Sequence, residues 1–122
     1  MDLHRDDIVL PLGSADQLEY GHRLICPICD GENLHQQAVG VYHHTLDDNR
    51  GVLITPDGEC IAHTNVHANI LNPSGDREGI RINFWCESDC KVPDLLLYQH
   101  EGTTYMAWDS ESQDRSLLWD SE

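Results

Sequence analysis

Gly79-Ile80-Arg81-Ile82-Asn83-Phe84-Trp85-Cys86-Glu87-Ser88-Asp89-Cys90 alternates apolar and polar residues and then closes on two cysteines. A strand sends successive side chains to opposite faces, so Ile80, Ile82, Phe84 and Cys86 share one side and Arg81, Asn83 and Trp85 the other. The pattern predicts a β-strand that delivers Cys86 to the core side, with Cys90 just beyond its end. Cysteines so placed in an all-β context suggest ligation more than packing, and they send the search upstream for partners.

The partners are in Cys26-Pro27-Ile28-Cys29, followed by Asp30-Gly31. Two cysteines separated by two residues wrap a tight turn in which both thiolates and several backbone N–H groups converge on one ion. Cys26, Cys29, Cys86 and Cys90 together supply the four thiolates of a tetrahedral structural Zn²⁺ site. Three residues separate Cys86 from Cys90, one more than between the first pair, within the looser range such sites tolerate. That extra residue leaves His35 as a substitute ligand, with Cys60 next. Cys60 otherwise reads as a small buried core residue. A closed four-thiolate site leaves no open position for water or substrate, so its role is folding and not catalysis. Structural zinc supplies about 10–16 kcal/mol, against a whole-domain stability of about 5–15 kcal/mol. Without the metal the chain should be partly unfolded.

The rest of the pattern is also period two. Val39, Val41, His43 and Thr45 alternate with Tyr42, His44 and Leu46, predicting a partly buried strand. Leu95-Leu96-Leu97-Tyr98-Gln99-His100 and Thr103-Thr104-Tyr105-Met106-Ala107-Trp108 flank Glu101-Gly102, the spacing of a two-residue hairpin. Asn72-Pro73-Ser74-Gly75-Asp76 is dense in turn formers and is expected to close a hairpin between the run at Ile70 and Leu71 and the Ile80 strand. Asp47-Asp48-Asn49-Arg50-Gly51 and Pro56-Asp57-Gly58 are further turns. The expected fold is mainly β, a small antiparallel meander of zinc-ribbon-like type clamped by one four-cysteine zinc site, with no long helix. Residues 23–108 form this domain, preceded by an arm, 1–22, in which Ser14 could start one helical turn. An acidic tail, 109–122, contains the apolar triplet Leu117-Leu118-Trp119 and reads as disordered or as a docking segment.

Composition narrows the function. The 122 residues include 22 Asp and Glu against 7 Lys and Arg, a formal net charge of −15. Phosphate-backbone binding draws its affinity from Lys and Arg, so a broad nucleic-acid interface is disfavoured. The acidity fits solubility, a salt-adapted proteome, or a surface that meets a basic partner. The N-terminus, with acids at Asp2, Asp6 and Asp7, does not read as a secretory signal, and no apolar run approaches the roughly 18 residues of a membrane span. The expected location is cytoplasmic, where five cysteines favour metal binding over disulfides.

Eight histidines raise the question of a second site. His63 and His67, if extended, share a face but lie roughly 13 Å apart, too far for one ion. On a helix they would be neighbours, but Thr64, Asn65, Val66 and Asn69 favour strand and turn. These histidines, with His43, His44 and His100, read as surface or polar-packing residues. No nucleophile elbow, phosphate-cradling loop or HExxH motif is present, so the chain reads as a non-enzyme.

The motifs Cys26-Pro27-Ile28-Cys29, Asn72-Pro73-Ser74, Gly79-Ile80-Arg81-Ile82-Asn83-Phe84-Trp85-Cys86-Glu87 and Gln99-His100-Glu101-Gly102-Thr103-Thr104-Tyr105 occur in one order. In that order the chain resembles a family of small, largely uncharacterised zinc-ribbon-like proteins of bacteria, their phages and other mobile elements, over about residues 24–108. The resemblance implies zinc binding and a mobile-element setting, but no activity. Gly75-Asp76-Arg77-Glu78 stands where that pattern has a basic pair, Glu101 where it has a lysine, and the second cysteine pair is one residue wider.

The leading expectation is a non-enzymatic, zinc-stabilised interaction module, phage- or mobile-element-encoded, that presents an acidic surface to a protein partner. Its sharpest form is a DNA mimic that inhibits a host defence nuclease complex with a basic nucleic-acid-binding surface. The alternatives are a nucleic-acid-associated zinc ribbon, with Trp85, Tyr98, Tyr105 and His100 stacking on bases, and, third, a histidine-based metal-dependent hydrolase. Monomer and dimer are both open.

Overall fold

The computed structural model describes residues 7–13, 21–44, 48–75 and 77–110. The expected helical turn after Ser14 and the triplet Leu117-Leu118-Trp119 lie outside these residues. Among the described residues the fold is mainly β: β1 (Leu34–His44), β2 (Asn49–Ile54), β3 (Cys60–His63), α1 (Asn65–Leu71), β4 (Gly79–Cys86), β5 (Leu95–His100) and β6 (Thr103–Trp108). The strands form one antiparallel sheet in the order β3-β2-β1-β4-β5-β6. It consists of two three-stranded meanders joined where β1 pairs with β4.

Local chemistry explains the turns. Gly58 donates its N–H to the Thr55 carbonyl at 2.9 Å, closing the Pro56-Asp57-Gly58 turn between β2 and β3. Glu101 and Gly102 both have positive φ, 50° and 82°, the backbone that a two-residue hairpin loop matched to strand twist requires. The expected β5–β6 hairpin is therefore present, in register from Leu95 opposite Trp108 to His100 opposite Thr103. Asn49, Arg50 and Gly51, expected in a turn, instead open β2.

The Asn72-Pro73-Ser74 segment does not close a hairpin. It follows α1 and carries the chain from the β3 edge to β4, which lies beside β1. Its side chains fasten that crossing. Asn72 Nδ2 donates to Asn49 Oδ1 at 2.9 Å and to the Arg77 carbonyl at 2.8 Å, while Ser74 Oγ accepts the Gln99 N–H at 2.9 Å and donates to the Glu78 carbonyl. A turn-forming sequence alone cannot distinguish a hairpin from a clamp of this kind.

One face of the sheet is covered by α1, which packs on β2 and β3. Ala38, Tyr42, Leu53, Ala68 and Leu71 form the core there. Tyr42 lies flat over two glycines: a Cβ added at Gly40 would fall 2.5 Å from Tyr42 Oη, and one at Gly51 would meet the Tyr42 ring. The expected polarity of β4 is reversed at its start, although Cys86 reaches a buried core as expected. Arg81 and Asn83, on the α1 side, are buried, while Ile80, Ile82 and Phe84 are only half-buried on the other side. Burial of the polar row is possible because its donors find acceptors beside the sheet; only Asn83 Oδ1, among the row's side-chain atoms, has no hydrogen-bond partner among the described residues. Arg81 Nε donates to the Leu71 carbonyl at the end of α1 (2.9 Å), and its Nη1 reaches Asp94 (3.1 Å) and Asp109 (2.8 Å). Asn83 Nδ2 donates to Asp94 Oδ1 at 3.1 Å. A buried charge is tolerated only when paired and hydrogen-bonded in this way.

Candidate metal centre

A second, smaller core of Cys26, Cys86 and Val92, flanked by Leu34, Phe84, Cys90 and Trp108, marks the far end of the β1–β4 pair. The register sets Leu34, the first residue of β1, opposite Cys86, the last of β4. The turn before β1 and the turn after β4 therefore meet, and each carries two cysteines.

The sulfur atoms of Cys26, Cys29, Cys86 and Cys90 all lie within 4.8 Å of one another, so all four expected ligands converge. Cys29 Sγ and Cys86 Sγ are 3.6 Å apart. A disulfide would place them about 2.0 Å apart. Four sulfurs about 2.3 Å from a central tetrahedral ion are separated by about 3.8 Å. The spacing fits a shared metal ion and not a disulfide. All five cysteines are free thiols.

Each turn is closed by a backbone hydrogen bond to the carbonyl of its first cysteine. The Asp30 N–H donates to the Cys26 carbonyl and the Cys26 N–H to the Gly31 carbonyl, both at 2.9 Å, and the Ile28 N–H points at Cys26 Sγ at 3.4 Å. The second turn repeats the device, with the Asp89 N–H donating to the Cys86 carbonyl at 2.8 Å. Both turns need one left-handed residue, and here these are Asp30 (φ 62°) and Asp89 (φ 66°), acids of the type that tolerates this region better than most. Gly31 has a separate role: a Cβ there would sit 3.1 Å from Cys29 Sγ. Its small size lets its N–H approach that sulfur.

This N–H is the main reason the Cys29 thiol is pulled down to a pKa of about 7, with further help from Cys90 and Cys86. Cys90 is pushed up to about 12, chiefly because it donates its proton to Cys29, then by burial. The geometry therefore favours the deprotonated sulfur that a metal needs at Cys29.

The substitute ligands are not recruited. His35 Nε2 lies 2.7 Å from Glu87 Oε2, and its ring tilts against Trp85 at 5.1 Å. Cys60 is exposed at the start of β3, not the buried core residue expected from its type. His63 and His67 are not extended. β3 stops at His63 and α1 begins at Asn65, so the two rings come to 5.6 Å, with His63 buried beside Tyr42. The short helix escaped the sequence reading because Asn65, Val66 and Asn69 are weak helix formers and the helix has no side-chain cap; packing on β2 and β3 decides it. His35, His43 and His100 are exposed, and each lies beside a glutamate: Glu87, Glu78 and Glu101.

The aromatic residues do not form one platform. Tyr98 and Tyr105 stack on each other at 5.5 Å. Tyr98 lies opposite Gly79, whereas Trp85 is at the other end of β4, roughly 20 Å away at strand rise.

Charge is partitioned by secondary structure. None of the six strands, nor α1, contains an Asp or Glu. The acids sit in turns and termini, and the two cysteine turns hold an exposed group of them: Asp30, Glu32, Glu87 and Asp89. Arg23 offsets Glu32 at 2.8 Å, and His35 sits at Glu87. No family model, curated protein or solved structure matches the chain. Among the described residues no helix is long and apolar enough to cross a membrane.

Proposed function

We propose that this chain is a non-enzymatic interaction protein in which Cys26, Cys29, Cys86 and Cys90 hold one structural Zn²⁺ and the acidic turns around it engage a basic protein partner. The observation that carries the reading is the convergence of four sulfurs within 4.8 Å of one another, in two turns that also bear Asp30, Glu32, Glu87 and Asp89. Four thiolates on a divalent ion carry a net charge of −2, and they fill every position a tetrahedral ion offers. The centre then orders the chain, and the surrounding carboxylates supply the recognition. An all-sulfur tetrahedral set suits zinc or iron; zinc is the choice for a site whose work is structural.

A partner that binds nucleic acid through a basic channel has the complementary charge, and the loop acids would stand in for phosphates. A host defence nuclease complex is such a partner, in keeping with the mobile-element proteins that the sequence resembles. Two measurements test this reading. Elemental analysis of the purified protein should return one zinc per chain, lost in Cys26→Ser. Binding to a protein with a basic nucleic-acid channel should be tight at low salt and weaken as salt rises past about 0.1 M, where the screening length is about 10 Å. Salt-independent binding, or none, overturns the acidic-surface role and leaves the metal assignment to stand or fall on the analysis.

A further inference from the structure

The four clustered cysteines are unequally open to solvent. Cys26 and Cys86 are each 1% exposed and Cys90 is half-buried, whereas Cys29 is exposed. Gly31 sets no side chain over Cys29, and a Cβ there would lie 3.1 Å from its Sγ. A small molecule arriving from solvent therefore meets Cys29 first. Behind it stands Cys86, in the other turn and 57 residues further along the chain, with its Sγ 3.6 Å from Cys29 Sγ. The two sulfurs need to close by only about 1.6 Å to reach the roughly 2.0 Å of a disulfide.

We propose that Cys29 is the site at which a peroxide oxidises this protein, and that Cys86 resolves the product into a disulfide that takes over the metal's task of holding the two turns together. In the first step the Cys29 thiolate attacks one oxygen of hydrogen peroxide. The O–O bond breaks, a sulfenic acid forms on Cys29, and the hydroxide that leaves takes a proton and becomes water. In the second step the Cys86 thiolate attacks the Cys29 sulfur. The S–S bond forms, the S–O bond breaks, and the departing hydroxide is protonated to a second water. Two thiolates have then given up two electrons, and one peroxide has become two waters. Cys26 and Cys90 alone do not complete a four-thiolate set, so the zinc is released. That release rests on the zinc reading proposed above, whereas the disulfide rests only on the placement of the sulfurs. The oxidant is small and neutral, because Asp30, Glu32, Glu87 and Asp89 around the site repel an anionic one. The crosslink spans the same two turns that the ion would, where the first residue of β1 meets the last of β4. The oxidised chain therefore keeps a constraint on this end of the sheet that chelation of the reduced chain removes.

The test uses the full zinc-loaded chain carrying Cys60→Ser, which removes the exposed cysteine outside the cluster. Zinc content of the reduced protein is measured first, and a chain that holds none overturns the zinc reading. Hydrogen peroxide is then titrated in, free metal is followed with a chromophoric chelator, and disulfides are mapped by mass spectrometry after cleavage at Glu87, which separates Cys86 from Cys90. The expected result is one zinc released for each Cys29–Cys86 disulfide formed, with rebinding after dithiothreitol. The oxidised, zinc-free chain should also keep a cooperative thermal transition that the reduced, chelated chain lacks. Any other cysteine pairing, or oxidation without a disulfide, overturns the proposal whether or not the reduced chain held zinc.

Discussion

Replacing Tyr42 by Phe should make this protein more stable, although it deletes a polar group from a full core. The Tyr42 side chain is completely buried, and its hydroxyl has no hydrogen-bond partner among the described residues. A buried hydroxyl without a partner costs about 1–3 kcal/mol. Removing one oxygen leaves a void of roughly 10 Å³, worth only a few tenths of a kcal/mol at about 24 cal/mol per Å³. The net expectation for Tyr42→Phe is a gain of about 1 kcal/mol, or about 4 °C in Tm for a chain of this length. Burial also pushes the Tyr42 phenol up to about 12, against 10.0 in the open chain. Between those values the unfolded chain has released a proton that the folded chain still holds, so stability falls as pH rises from 10 to 12, by about 2–3 kcal/mol in all. Below pH 10 this contribution is fully present. Urea denaturation of both zinc-loaded proteins at pH 7.5, 10 and 11.5 measures each part. The gap in favour of Tyr42→Phe should widen at the highest pH, since only wild type carries the Tyr42 phenol. A variant less stable than wild type at pH 7.5, or a gap that does not change with pH, refutes the account of a buried, unpartnered hydroxyl.

Other substitutions probe the metal centre and the polar core. Cys26→Ser, or chelation of the wild type, should abolish zinc binding and the cooperative thermal transition, since the expected metal contribution of about 10 kcal/mol or more exceeds a typical domain's stability; calorimetry with and without added zinc reads this. Gly31→Ala puts a methyl 3.1 Å from Cys29 Sγ, and competition with a chromophoric chelator should show zinc affinity reduced by about tenfold or more. Arg81→Leu removes the cation that Asp94 and Asp109 share and should cost about 3–5 kcal/mol in urea denaturation. Adding Asp94→Asn to Arg81→Leu should recover part of that loss, because one of the carboxylates left without its cation is then neutral.

The cluster of four cysteines was legible in the sequence because it depends on residue type and on spacing within two short turns. Cys26-Pro27-Ile28-Cys29 dictates its own turn, and period two in the Ile80 strand places Cys86 at a strand end whatever surrounds it. Glu101-Gly102 fixes the β5–β6 hairpin for the same local reason, the two positive φ angles it accepts. Which face of β4 is buried was not local. Alternation in Ile80, Ile82 and Phe84 marks them as apolar, but Arg81 and Asn83 take the inside because Asp94, Asp109 and the Leu71 carbonyl, 10 to 28 residues away, arrive to accept their hydrogen bonds. The helix that brings His63 and His67 together is decided in the same way, by burial of Ala68 and Leu71 against β2 and β3 rather than by its weak propensity. The sequence by itself therefore determined the two cysteine pairs, the β character and the hairpin, each set by neighbours along the chain. Only the tertiary structure decided which faces are buried and where the acids gather, because those depend on long-range partners that no local pattern encodes.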